Sequence, residues 1–280
     1  MRWFRFFFNH SFFIAVCAFA LSCETYFLLA LKVNKSVCLV VFFATLFSYN
    51  SYLLLGNYFA KAKSHSIPSA ISILLNSMWD GLLIVLSGMA VLYLLQSLSY
   101  LIPGLLLAGL LTIIYFLPLI PWFNKRSIRK YGLTKPLLLA GTWAFVTVYL
   151  PVAGNASVSG VKIILLLLTR FLFVFLLSII FDMRDIAVDK IAGMKTIATE
   201  VSQSVINYVV IFSISTYLIL LWVMYGYWIS ASQAIALLVV GLIALILYSY
   251  SSKPKGYYFY YVGVDGLMLL SAFAVYLATI

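Results

Sequence analysis

The sequence is poor in acid. Seven of its 280 residues are Asp or Glu, against 18 Lys and Arg, and only 9% of the chain is charged. It is poor in cysteine too, with three, and poorer in histidine, with two. Cys17, Cys23 and Cys38 are odd in number and lie within or beside apolar runs. They form no disulfide framework and no zinc-ligand spacing, so they read as small packing residues. His10 and His65 are too far apart in sequence to suggest a metal pair. Apolar residues are what is abundant. They make up 65% of the chain, and the mean hydropathy is +1.12. That balance excludes an ordinary soluble domain and indicates an all-α polytopic membrane protein. The net charge of +11 would suit nucleic acid if the basic residues formed a stripe. They sit between apolar runs instead, the pattern that sets membrane orientation, so no nucleic-acid partner is expected.

A helical span needs about 20 mostly apolar residues. That ruler places nine spans in one bundle, at 12–31, 36–56, 71–95, 99–118, 136–153, 161–181, 203–225, 230–251 and 258–279. The chain 1–280 reads as a single transmembrane domain, with no repeat and no soluble insert. With a cytoplasmic N-terminus, the inside segments hold 14 of the 18 Lys and Arg and the outside segments hold three, with Arg170 inside a span. This bias predicts N-in, C-out. Arg2 and Arg5 precede an apolar run, and ALSC at 20–23 faintly resembles a lipoprotein cleavage box. The apolar stretch resumes after Glu24, so an uncleaved first span is expected.

Three of the seven acids lie within eight positions, in FDMRDIAVDKIAGMKT at 181–196. Asp182, Asp185 and Asp189 follow i, i+3, i+7 spacing. On a helix they share about 60° of arc, with Gly193 on the same face. Arg184, Lys190 and Lys195 surround them. Carboxylates at a membrane edge are costly unless a cation offsets them. A divalent ion is an economical partner, because Mg²⁺ takes one or two carboxylates plus substrate phosphate oxygens. The plainer reading is a solvated loop whose charges pair with Arg184 and Lys190.

DMRDIAVDKIAGMKT resembles the second aspartate-rich motif of the UbiA superfamily of intramembrane prenyltransferases, DxxDxxxDxxxGxxT. Asp182, Asp185, Asp189, Gly193 and Thr196 match position for position, after the sixth of nine spans. YFLPLIPWFNKR at 115–126 is similar to the family's Tyr-then-Lys/Arg segment. KPLLLAGTWAFVTVYLP at 135–151 and YYVGVDGLM at 260–268 are looser matches. The resemblance implies a Mg²⁺-dependent transfer of an isoprenyl group from an allylic diphosphate to a lipophilic acceptor, such as an aromatic quinone precursor. It makes Asp182, Asp185 and Asp189 the catalytic metal ligands, and Asn50, Lys125, Arg126, Lys190 and Lys195 the diphosphate contacts. It also implies a multi-pass protein of a bacterial inner membrane, with its site facing the cytoplasm and membrane lipid around it.

The family's first motif, NDxxDxxxD, falls on YNSYLLLGNYF at 49–59. Asn50 takes the place of the family's Asn, but Ser51, Leu54 and Tyr58 stand where its aspartates belong. One of the two metal–diphosphate clamps is therefore missing. Asn76 and Asp80, at i, i+4 on span three, are candidates to replace part of it. Arg170 needs a partner within the membrane, with Glu24, Asp80 and Asp265 as the candidates. Asp265 reads either as a paired intramembrane acid or as part of the site.

Two other readings stand beside the enzyme. One is a non-catalytic lipid-binding protein on the same fold, favoured by the eroded first motif. The other is a small transporter, although no pair of interrupted spans in matching halves stands out. Phospholipid head-group transfer is disfavoured because its DGxxAR signature is absent.

Overall fold

The structure is a computed structural model that describes residues 10–61, 67–116, 134–191, 199, 201–251, 255–256 and 258–280. Each of the nine expected segments is helical. In chain order these are α1 (Phe12–Leu28), α2 (Lys35–Lys61), α3 (Ile67–Leu95), α4 (Ile102–Phe116), α5 (Thr134–Val152), α6 (Gly160–Ile191), α7 (Gln203–Tyr227), α8 (Ala231–Tyr250) and α9 (Phe259–Thr279). No strand occurs among the described residues. Within a bilayer, helices satisfy every backbone group internally, and these sequences are apolar enough to leave no other solution. Seven of the helices are long and apolar enough to cross a membrane, while α1 and α4 are shorter apolar helices. The protein is an integral, multi-pass membrane protein.

The helices close into a ring. Helix α1 packs on α9, α9 on α8, α8 on α7, α7 on α6, and α6 on α5, which returns to α1. Helix α2 lies on α1, α3 lies on α2, and α4 lies against α5. The core is shared around this ring, with Leu21, Val148, Ile179, Ile180, Ala244 and Val264 fully buried. Apolar side chains outside it remain largely exposed, such as Leu92 at 69% and Trp222 at 75%. On a membrane protein that surface faces lipid, which is as apolar as the side chains.

Two stretches widen to π-helix, Phe145–Tyr149 in α5 and Phe259–Val264 in α9. A π turn inserts a residue and leaves carbonyls poorly matched, so it persists where a partner answers them. Thr25 of α1 does this for α5, donating to the Thr147 carbonyl at 2.7 Å. At the end of α1, Trp228 Nε1 donates to the Leu28 carbonyl at 3.0 Å. Helix α8 begins with a capping box formed by Ser230 and Gln233.

Arg170 finds its partner in Glu24. Its Nη2 lies 3.0 Å from Oε1 and its Nη1 lies 3.4 Å from Oε2, with both residues buried. Ser271 of α9 lines the same small cavity as this pair. The pair ties α1 and α6 together mid-bundle, as a structural ion pair would.

The cysteines are not all isolated. Cys23 Sγ of α1 lies 3.7 Å from Cys38 Sγ of α2, whereas Cys17 meets the Asp265 carbonyl. A disulfide requires the sulfurs to close to about 2 Å. Treatment of the purified protein with a small organic disulfide is therefore expected to cross-link Cys23 to Cys38 by thiol exchange. Intact mass would show the loss of two hydrogens, with Cys17 still alkylatable. A mixed disulfide on Cys23 alone, without a cross-link, would contradict this packing of α1 on α2.

Candidate functional site

The last turns of α6 carry the aspartates, and their environments differ. Asp182 is buried, and Lys135 at the start of α5 places its Nζ 2.7 Å from Asp182 Oδ1. Asp185, one turn on, is half-buried. Arg184 grips it in a fork, with Nε 2.7 Å from Oδ1 and Nη2 3.1 Å from Oδ2. The guanidinium also lies over three rings, 4.9 Å from the centroid of Phe181, 5.2 Å from Tyr260 and 5.7 Å from Tyr261. Such a cage holds a cation through the negative faces of the rings. Tyr260 and Tyr261 belong to the π segment of α9, which begins directly before them. Tyr260 is buried, and its hydroxyl has no hydrogen-bond partner among the described residues. Asp265, at the end of this segment, is buried and within electrostatic reach of Arg184.

Helix α2 contributes no carboxylate here. Asn50 is fully buried, and its Nδ2 donates to the carbonyls of Leu46 at 2.8 Å and His10 at 3.2 Å. Its Oδ1 has no hydrogen-bond partner among the described residues. His10 in turn holds Asp80 of α3, with Nδ1 2.8 Å from Oδ1 and both side chains buried. Asp80 therefore sits in a hydrogen bond that joins the start of α1 to α3. Beside Asn50, Tyr49 accepts a hydrogen bond from Trp143 Nε1 at 3.1 Å.

The backbone places Asp189 and Lys190 in the last turn of α6. Lys125, Arg126, Gly193, Lys195 and Thr196 lie outside the described residues. Three residues at the site carry no strong sequence signal. Lys135 reads only as one more inside cation, and Tyr260 and Tyr261 only as part of a loose match. The remaining cue is the clustering of Tyr257, Tyr258, Tyr260 and Tyr261 just before Asp265.

Compared with solved structures, the chain is similar to the apo form of a UbiA homolog from Aeropyrum pernix K1. The TM-score is 0.64 at 12% identity, over 94% of this chain and 96% of that one. This chain has the UbiA fold. A structure of digeranylgeranylglyceryl phosphate synthase is also similar, with a TM-score of 0.60 at 15% identity over 97% of each chain. No family model and no curated protein matches the sequence. The likeness is one of overall fold, and the residues at the end of α6 are this chain's own filling of it.

Those residues suit Mg²⁺ in one mode only. No group of three or more metal-ligating side chains occurs among the described residues, so they form no closed protein cage. Asp182 and Asp185 lie one turn apart, and each already draws a cation. Two carboxylates on one helix face fit an ion whose other ligands are phosphate oxygens and water.

Proposed function

We infer that this chain is a prenyltransferase of the UbiA type. In this reading it moves an isoprenyl group from an allylic diphosphate to a lipophilic acceptor at the cytoplasmic face of a bacterial inner membrane. The observation that carries the reading is the pair Asp182 and Asp185, set at the end of a long apolar helix and matched by cations within a UbiA fold. The placement of the Lys and Arg residues supports the cytoplasmic face.

Asp182 and Asp185, with Asp189 on the same helix face, would hold Mg²⁺, which supplies positive charge to a departing diphosphate. The C–O bond to the diphosphate breaks, and its electron pair leaves with the phosphate oxygen. The allylic carbon then bonds to the acceptor, which loses a proton. An allylic cation survives only where water is excluded. Phe181 and Tyr260 provide apolar, electron-rich surface beside the carboxylates, and the apolar bundle keeps water from that face.

A second reading has its own observation. Ser51, Leu54 and Tyr58 leave α2 without carboxylates, and Asp80 is engaged by His10. That favours a lipid-binding protein which keeps the fold without the reaction. The test is Mg²⁺-dependent release of diphosphate from allylic diphosphates of increasing chain length, with and without extracted membrane lipid as a source of acceptor. Release that stops on chelation supports the enzyme. No release from any donor favours the lipid-binding protein.

A further inference from the structure

The absent first motif leaves a charge problem at the site. Positions 51, 54 and 58 are Ser, Leu and Tyr, so α2 has no carboxylate there with which to hold a second divalent ion. Asp80 is committed to His10 at 2.8 Å. A diphosphate still has to be neutralised before it can leave. Two side-chain cations stand where that is needed, Lys135 on Asp182 and Arg184 on Asp185, each at 2.7 Å. Together the four side chains are formally neutral, so they add no net charge to oppose an incoming anion.

The geometry of Arg184 suits this role. Its fork already makes two parallel bonds to a carboxylate, and a guanidinium grips phosphate in the same bidentate way. The rings of Phe181, Tyr260 and Tyr261 hold its plane in place. The buried hydroxyl of Tyr260, which has no partner among the described residues, supplies a further donor beside the cage. With both carboxylates engaged by a divalent ion, Lys135 and Arg184 would be free to turn to phosphate oxygens.

We propose that Lys135 and Arg184 are diphosphate-binding residues that replace the missing metal clamp, making this a one-metal site. The inference rests on the prenyltransferase reading above. The experiment uses the full-length protein in detergent, with Mn²⁺ and inorganic pyrophosphate as probes. Electron paramagnetic resonance counts bound Mn²⁺, and equilibrium dialysis measures pyrophosphate. The wild type is expected to bind one Mn²⁺ per pyrophosphate. Lys135→Gln and Arg184→Gln are each expected to weaken pyrophosphate about tenfold or more, the cost of a lost charge-assisted bond, with the Mn²⁺ count unchanged. Arg184→Lys keeps the charge but loses the fork and is expected to weaken binding several-fold. It decides the matter if the glutamine variants do not fold. Two Mn²⁺ per pyrophosphate, or wild-type affinity in the variants, overturns the proposal while leaving the prenyltransferase reading intact. A wild type that binds no pyrophosphate at any Mn²⁺ concentration overturns both.

Discussion

Asp185→Asn abolishes the joint stabilisation of the protein by Mg²⁺ and pyrophosphate. This is the largest functional effect expected of a single substitution. A ligand at about a hundred times its dissociation constant raises stability by roughly 3 kcal/mol, and the detergent-purified wild type should show a rise of that order with both ligands together. Either ligand alone should do much less, because the ion's protein ligands are few and the diphosphate needs the ion. Asparagine keeps the size of Asp185 but removes the charge that answers both Arg184 and the metal. Asp185 is half-buried and contacts Arg184 at its rim, so the variant should remain folded. Asp182→Asn is expected to lose the same response and some basal stability as well, since it strips a buried carboxylate from Lys135. Thermal unfolding with each ligand and with both measures this. An Asp185→Asn protein that keeps the full joint shift would remove the metal–diphosphate site from α6.

Arg170→Leu destabilises the fold by about 3–5 kcal/mol, the usual cost of breaking a buried ion pair from one side. The reason is what stays behind. Glu24 is buried in the bundle and loses both contacts from the guanidinium. It must then hold an unanswered charge or take up a proton. Arg170 also donates to the Leu21 carbonyl at 3.4 Å, so α1 loses a second tie to α6. The double variant Glu24→Leu/Arg170→Leu should recover most of the loss, because two apolar side chains replace two ions with no desolvation to offset. Twelve residues of helix, about 18 Å, separate Arg170 from Asp182. Pyrophosphate binding by the double variant should therefore match the wild type. Denaturant titration of the two single variants and the double variant measures the coupling. Single and double losses that simply add would mean that the pair is not a pair.

Much of this protein is legible before any folding. Long apolar runs state where helices lie, because a bilayer allows few alternatives, and most of the expected segments are helical within a few residues of their bounds. The longest misfit is α6, which continues apolar-to-charged as one helix through Asp189 to Ile191. That continuity turns i, i+3, i+7 spacing into a shared face. The lack of carboxylates at 49–59 is equally plain from the residues alone. The cysteines show where such reading stops. Nothing in the spacing of Cys23 and Cys38 says that two antiparallel helices bring their sulfurs to 3.7 Å.

The partners of the charges became visible only when the bundle closed. Arg170 had three acids to choose from, and packing α1 against α6 selected Glu24. Asp80 went to His10, and Asp182 to a lysine that reads from the sequence as an orientation signal. Local sequence carries periodicity and apolarity, which are properties of one segment and its solvent. A charge carries its sign but not its partner's address, since Coulomb attraction is the same for every opposite charge that the chain can bring near. Helix packing chooses among them, and here it placed a lysine and two tyrosines around aspartates that the sequence had already gathered beside Arg184.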